Sequence, residues 1–167
     1  YFQIPEDKKL GLGRHRVHMV VKGDLSTVEG YFEVVPEGTP IFISDMDGTL
    51  TTYEEEEFTP LLTGDLPDVN EGAPEAFWIL VERGWHPMYL TARPEFLVQR
   101  SRDWLLVENF PPGILHTTLD IDGALGDAAV EYKTGEFQML ADKGLYPAWA
   151  FGNTDSDAEA YDNAGID

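Results

Sequence analysis

The chain has 167 residues, with 11 Lys and Arg against 31 Asp and Glu, a formal net charge of −20 and no cysteine. That charge lacks the positive footprint of a nucleic-acid binder and argues against electrostatic docking on anionic lipid, and the missing cysteines exclude disulfides, thiolate catalysis and Cys-based zinc sites. The length suits one domain with a small appendage, and no apolar run reaches a membrane span or has the form of a signal peptide. Tyr1-Phe2-Gln3 reads as the scar of a tag-removal protease site and is set aside. Residues 4–40 are expected to form a β-rich lead-in. Val17, Met19 and Val21 make one alternating run, Gly30-Tyr31-Phe32-Glu33-Val34-Val35 a second, and the turn residues Gly23-Asp24 and Ser26-Thr27 divide them. His15 and His18 have no ligand partner at metal-binding spacing and read as surface or strand-packing histidines.

Ile41-Phe42-Ile43 is a short apolar run with strand propensity, fenced by Pro36, Gly38 and Pro40 and followed at once by Ser44-Asp45-Met46-Asp47-Gly48-Thr49. A buried parallel strand ending in such a cluster delivers charge to the carboxyl edge of a sheet, where open α/β folds bind ligands. Two carboxylates two residues apart leave an extended strand on one face, and Gly48 lets the chain turn and expose backbone N–H groups. A calcium loop also spaces acids this way, and Asp47 and Glu56 would fall on its ligand positions. Leu50, however, stands where that loop needs glycine. From Thr52 to Asp68 the chain is acidic and turn-rich, with Glu54 to Glu57 in a row, and reads as a solvated loop too short for a large cap domain.

Glu71 to Arg83 is expected to be a helix with Asn70 as N-cap, Pro74 in its first turn and Gly84 as its stop. Met88-Tyr89-Leu90 makes a second strand ending in Thr91-Ala92-Arg93, and Pro94 is expected to open a helix that carries Phe96, Leu97, Trp104 and Leu105 to about Glu108. Strand, helix, strand, helix predicts right-handed βαβ winding on a parallel sheet. Ile114 to Leu119 is a third strand. Asp120-Ile121-Asp122-Gly123-Ala124 imitates the earlier acidic cluster, but Ala124 replaces the hydroxyl, and a turn is expected. Lys133 is placed just ahead of a helix carrying Phe137, Leu140 and Ala141 and closed by Gly144. Ala148 to Phe151 is the fourth strand, ending in Gly152-Asn153-Thr154-Asp155-Ser156-Asp157, a cluster that also reads as a helix N-cap.

Taken in order, Asp45-Met46-Asp47-Gly48-Thr49, Thr91, Lys133 and Asn153 with Asp157 resemble the four motifs of the haloacid-dehalogenase-type (HAD) phosphatases. The resemblance implies a Rossmann-like three-layer α/β fold with a parallel sheet, a short N-terminal β extension over residues 1–40 and a catalytic domain over 41–167 without a large cap. It implies Mg²⁺-dependent phosphomonoester hydrolysis through an aspartyl-phosphate, in which Asp45 is the nucleophile and Asp47 the acid and base. Thr91 and Lys133 would hold the transferring oxygens, with Gly48, Thr49, Ala92 and Arg93 in the substrate's reach. Asp45, Asp47 through its backbone carbonyl, and Asn153 would hold the metal, and Asp157 would orient its water shell. By its residue type alone, Arg93 fits the substrate's charge and a pairing with a surface acid equally well.

Gly152, Asn153, Asp157, Ala160 and Tyr161, with Tyr89-Leu90-Thr91-Ala92-Arg93, Pro111-Pro112-Gly113 and Ile43-Ser44-Asp45, narrow the likeness to the lipin branch, the phosphatidate phosphatases. They are similar as well to the domain of this type in some phosphatidylinositol-transfer proteins, thought to bind phosphatidate without turnover. The resemblance therefore implies phosphatidate or another bulky phosphate ester as the substrate. The alternatives are a non-catalytic phosphatidate-binding module and a phosphatase for a soluble phosphometabolite. Both acids of the first motif are present, which favours catalysis. No amphipathic basic helix for a membrane surface is visible, and a soluble, cytoplasmic chain is the working expectation. A further strand is expected after Gly165-Ile166-Asp167, so the sequence is expected to be trimmed or continued there.

Overall fold

The computed structural model describes residues 5–52 and 66–166. The acidic run at 54–57 and the amino-terminal tripeptide lie outside the described residues. The chain divides into two compact units, Tyr1–Glu37 and Gly38–Asp167.

The first unit is a β-hairpin. Strands β1 (Gly13–Val20) and β2 (Thr27–Val34) pair antiparallel from Gly13↔Val34 to Val20↔Thr27. Both histidines serve this hairpin: the His15 ring stacks on Phe32, and His18 Nδ1 lies 3.1 Å from Glu29 Oε1.

The second unit is a four-stranded sheet in the order β5-β4-β3-β6, with every neighbouring pair parallel. Its strands are β3 (Ile41–Ser44), β4 (His86–Pro94), β5 (Ile114–Thr118) and β6 (Pro147–Phe151). Among the described residues, four α-helices connect and flank them: α1 (Ala73–Glu82), α2 (Val98–Val107), α3 (Asp127–Ala141) and α4 (Asp155–Ala164). Alternation along the strands divides the core between the two faces of the sheet. Ile41, Ile43, Met88 and Leu90 point to one face and pack on Phe137, Leu140, Ala160 and Tyr161 of α3 and α4. Phe42 and Tyr89 point to the other and pack on Phe77, Trp104, Leu105 and Phe110, alongside α1 and α2. The result is the three-layer α/β architecture expected of the sequence. After β5 the chain returns to the far side of β3, so the strand order reverses between β3 and β6, the place where open α/β sheets bind ligands at their carboxyl ends.

Several boundaries differ from expectation. Helix α1 starts two residues later than expected, after Gly72 in a left-handed conformation, and Asn70 does not cap it. The Asn70 amide instead donates to the carbonyls of Thr49 (2.8 Å) and Thr51 (2.9 Å), pinning the loop after β3. Strand β4 runs to Pro94 rather than Leu90, because its last residues extend beside β5 in a shifted register that pairs Pro94 with Thr118. Pro94 therefore closes a strand, and a 3-10 turn, Glu95–Leu97, precedes α2. Lys133 lies inside α3, not ahead of it. The helix begins at Asp127 after Gly126, and its first two turns carry little apolar signal. The segment Asp120 to Gly123 is a turn, as expected: the Asp122 N–H donates to Asp120 Oδ1 at 3.1 Å, and the Ala124 N–H beyond it donates to Ala92 O at 3.1 Å.

Candidate active site

Sheet geometry brings the motifs together. The Asp45 N–H donates to Phe151 O at 2.9 Å, so the loops leaving β3 and β6 start side by side at the carboxyl edge. Across them, Thr49 Oγ1 donates to Asn153 Oδ1 at 2.8 Å. Gly48, at φ 72°, makes the turn that returns the chain, and its N–H donates to Thr51 Oγ1 at 3.0 Å.

Two ion-pair systems occupy this edge. In the first, Lys133 reaches in from α3 and donates to Asp45 Oδ1 at 2.7 Å and also to Asp157 Oδ1. All three side chains are buried. The other oxygen of Asp157 is held from α4's own first turn: Thr154 Oγ1 donates to it at 2.8 Å, and the backbone N–H groups of Asn153 and Thr154 at 3.2 Å. The Asp157 N–H donates back to Thr154 Oγ1 at 3.1 Å, so the metal-motif acid doubles as half of a capping box. The expectation that this cluster would also cap the helix holds.

In the second system, Arg93 is fully buried and clasps Asp47. Its Nη2 donates to Asp47 Oδ1 at 2.6 Å, and its Nε lies 2.9 Å from Oδ2 and 3.1 Å from Oδ1. The planar fork of a guanidinium matches a carboxylate in this way, where a lysine would offer only a point charge. Arg93 Nη1 donates to Ser101 Oγ on α2 at 2.9 Å, which fixes the far side of the fork. Thr91 Oγ1 accepts from the Arg93 N–H at 3.2 Å and donates to Asp47 Oδ2 at 3.3 Å. Arg93 thus does not pair with an acid of the outer surface. Its partner is a carboxylate of the site itself.

The electrostatics follow from burial. Loss of water pushes the Asp45 carboxyl up to about 6; Lys133 opposes this, and the Asp157 charge adds to it. Burial also pulls the Lys133 ammonium down, but its two carboxylates outweigh that and leave it above the ordinary lysine value. For Asp157 burial raises the carboxyl, yet Lys133 and the Thr154 hydrogen bonds hold it below the usual range. Three carboxylates thus face two cations, Lys133 and Arg93, and one negative charge is left over at the edge. Among the described residues no three His, Cys, Asp or Glu side chains cluster as a ready metal cage. The donors present are hard oxygens, the Asp45 carboxylate and the Asn153 amide, on adjoining strands. Hard oxygens beside an uncompensated negative charge fit Mg²⁺.

Asp45, Asp47, Gly48, Thr49, Thr91, Ala92, Arg93, Lys133, Asn153 and Asp157 therefore all belong to one stretch of sheet edge and the helix behind it. Ser101, Thr154 and Asn70 do structural work here that the motifs did not single out. Ser101 was the most legible of them, a hydroxyl on the same helical stripe as Leu97, Trp104 and Leu105.

Comparison with known proteins gives a consistent result. The family model described as PITM 1-3, LNS2 domain matches residues 42–167. Protein retinal degeneration B of Drosophila melanogaster is 32% identical over 166 residues, which cover 99% of this chain and 12% of that protein. The human membrane-associated phosphatidylinositol transfer protein 2 is 32% identical over 114 residues, 68% of this chain and 8% of that protein. The chain thus corresponds to about a tenth of these relatives' length. Among solved structures, the Pnkp1/Rnl/Hen1 complex aligns with a TM-score of 0.59 at 15% identity, over 75% of this chain and 43% of that one. A class C acid phosphatase from Bacillus anthracis with tungstate bound aligns with a TM-score of 0.52 at 14% identity, over 73% and 54%. At such identities the likeness is one of fold.

Proposed function

Because the chain belongs to the LNS2 domain family of PITM 1-3, we propose that it is a HAD-type site for a phosphate monoester that has kept its hydrolytic machinery, with Asp45 as the nucleophile. The observation that carries this reading is the Asp45–Lys133–Asp157 relay. An ammonium held by Asp157 against the carboxylate that must approach a phosphate dianion lowers the repulsion between two anions. It also fixes Asp45 for in-line attack.

Asp45, Asn153 and the backbone carbonyl of Asp47 would hold Mg²⁺, which when bound supplies further positive charge between nucleophile and phosphate. Thr91 and the Gly48 turn border the place for the transferring oxygens. Asp157 acts through Lys133 and the β6–α4 turn, as a positioning residue. In a protein of charge −20, burying Lys133 and Arg93 here supplies the local cations that phosphate requires.

A second reading, a phosphatidate-binding module without turnover, is favoured by the clasp of Arg93 on Asp47 and by relatives named as phosphatidylinositol transfer proteins. Phosphate release from p-nitrophenyl phosphate and from phosphatidate micelles, each with Mg²⁺ and with EDTA, separates the two. Mg²⁺-dependent release that Asp45→Asn abolishes supports the hydrolase. Phosphatidate binding with no release from either compound supports the module.

A further inference from the structure

The sheet edge that carries the site also carries an apolar rim. We infer that Phe96, Leu119, Ile121 and Leu125 dip into the surface of a bilayer of zwitterionic lipid, so that the site meets its phosphate ester in a membrane rather than free in solution. This rests on the reading of the site as one for a phosphate monoester and adds where that ester resides.

Strands β4 and β5 run parallel to β3, so the loops that leave them lie at the same carboxyl edge as Asp45 and Asp47. Leu119 is the first residue after β5, Ile121 and Leu125 follow in the loop to α3, and Phe96 sits in the turn after β4. Leu119 and Ile121 are 86% and 77% exposed, Leu125 and Phe96 55% and 58%. The frame that holds them out is hydrogen-bonded throughout. The Asp120 N–H donates to Thr118 Oγ1 at 3.1 Å, and Gly123, at φ 78°, donates its N–H to Asp120 O at 3.3 Å. Ala124 is buried, and its N–H donates at 3.1 Å to the carbonyl of Ala92, the residue between Thr91 and Arg93. Thr117 Oγ1 donates to Glu95 Oε2 at 3.0 Å, which ties the Phe96 turn to the end of β5. A cluster of large apolar side chains held in water and rimmed by polar residues marks a contact surface.

Charge decides which lipid surface it fits. Exposed Asp120, Asp122 and Asp127 are interspersed with the apolar residues, and Glu95 precedes Phe96. In a chain of charge −20 these acids are repelled by the negative potential of an anionic leaflet. A phosphatidylcholine layer instead presents its quaternary ammonium outermost. The carboxylates meet that group at headgroup level while the aliphatic side chains reach the acyl boundary. Attachment of this kind scales with the apolar area that enters, and no basic patch is required. Each large side chain that leaves water contributes about tenfold or more in partition.

The test is co-sedimentation of the intact chain with phosphatidylcholine vesicles and with vesicles rich in phosphatidylserine. The wild type should partition onto the first and less onto the second. Leu119→Ser combined with Ile121→Ser should lower the phosphatidylcholine partition about 100-fold, two side chains at about tenfold each. Cleavage of p-nitrophenyl phosphate, which is soluble, should stay as in the wild type. The chain has no cysteine, so Ile121→Cys and Leu106→Cys each accept a single polarity-sensitive fluorophore. Leu106, 76% exposed, lies at the far end of α2, where the chain heads back to the start of β5. The label at 121 should shift to the blue on phosphatidylcholine and the label at 106 should not, a readout that stands even where the double variant fails to fold. Equal partition of wild type and double variant, or a wild-type preference for phosphatidylserine, overturns the inference. So does partition onto neither vesicle, which would leave the rim to a protein partner. Failure to cleave p-nitrophenyl phosphate counts against the hydrolase reading alone, and the vesicle result still decides the rim.

Discussion

Gly152 and Asp157 stand so close that a Cβ added to the glycine would lie 2.5 Å from the Asp157 Cβ and 2.6 Å from its Cγ. The glycine at the end of β6 is thus a requirement of the acid five residues later, which must fold back over it to reach Lys133. Gly152→Ala should lower stability by about 1–3 kcal/mol, the cost of overpacking a rigid site, and thermal unfolding measures it. Because the clash is with Asp157 itself, the variant should lose activity more steeply than its stability loss explains. A Gly152→Ala protein of wild-type Tm and rate would refute the packing described.

Lys133 is the hub between two buried carboxylates, so its removal costs more than a hydrogen bond. Lys133→Met keeps the volume of the stem and leaves Asp45 and Asp157 facing each other without a counter-charge. Breaking a buried pair in this way costs about 3–5 kcal/mol. The loss at pH 7 should shrink near pH 5, where Asp45 takes up a proton. Chemical denaturation at both pH values reads it, and an equal loss at the two would show that Asp45 and Lys133 are not coupled.

How much of this was visible in the sequence depends on the kind of interaction. Ile41 to Ser44 announced itself as a buried strand because both of its faces are covered, and the acids at its end could be placed by counting. Alternation and helical stripes likewise gave the layers and the shared edge. Lys133 was recognisable as a site residue but misplaced relative to its helix, since residues 127–132 mix small and charged side chains and carry no stripe. The partner of Arg93 was not legible at all. It lies 46 residues away across two strands, and nothing in the local pattern distinguishes a fork aimed at Asp47 from one aimed at a ligand. Asn70 looked like a helix cap because its neighbours suit one; the two carbonyls that capture it are brought there by the loop after β3.

Asp45 makes the stability of the metal-free protein pH-dependent in a particular direction. Its folded pKa is raised from the ordinary carboxyl value of 3.8 to about 6, so between these values the folded state binds the proton more tightly than the unfolded chain. Stability from this group is therefore highest at or below about pH 4 and declines as pH rises to 6, by about 2–3 kcal/mol at 1.36 kcal/mol per unit. Asp157, whose pKa is lowered, acts oppositely: its contribution is present above the unfolded carboxylate range and is lost as pH falls below it. In EDTA the wild type should thus unfold at lower denaturant at pH 7 than at pH 5. Asp45→Asn should remove most of that difference while abolishing turnover. A slope unchanged in the variant would locate the effect elsewhere in this acidic chain.

The residual negative charge at the sheet edge predicts a stabilising response to Mg²⁺. A ligand bound only by the folded state at one hundred times its dissociation constant adds about 2.7 kcal/mol. The Tm at pH 7.5 should therefore rise on replacing EDTA with millimolar Mg²⁺. Asn153→Ala removes a neutral oxygen ligand and the partner of Thr49, leaving the Lys133 relay in place. It should weaken the Mg²⁺ response severalfold while costing less stability in EDTA than Lys133→Met does, because no buried charge loses its partner. Asp45→Asn should weaken it further, since a charged ligand is lost. If both variants gain as much from Mg²⁺ as the wild type does, the cation binds somewhere other than between β3 and β6.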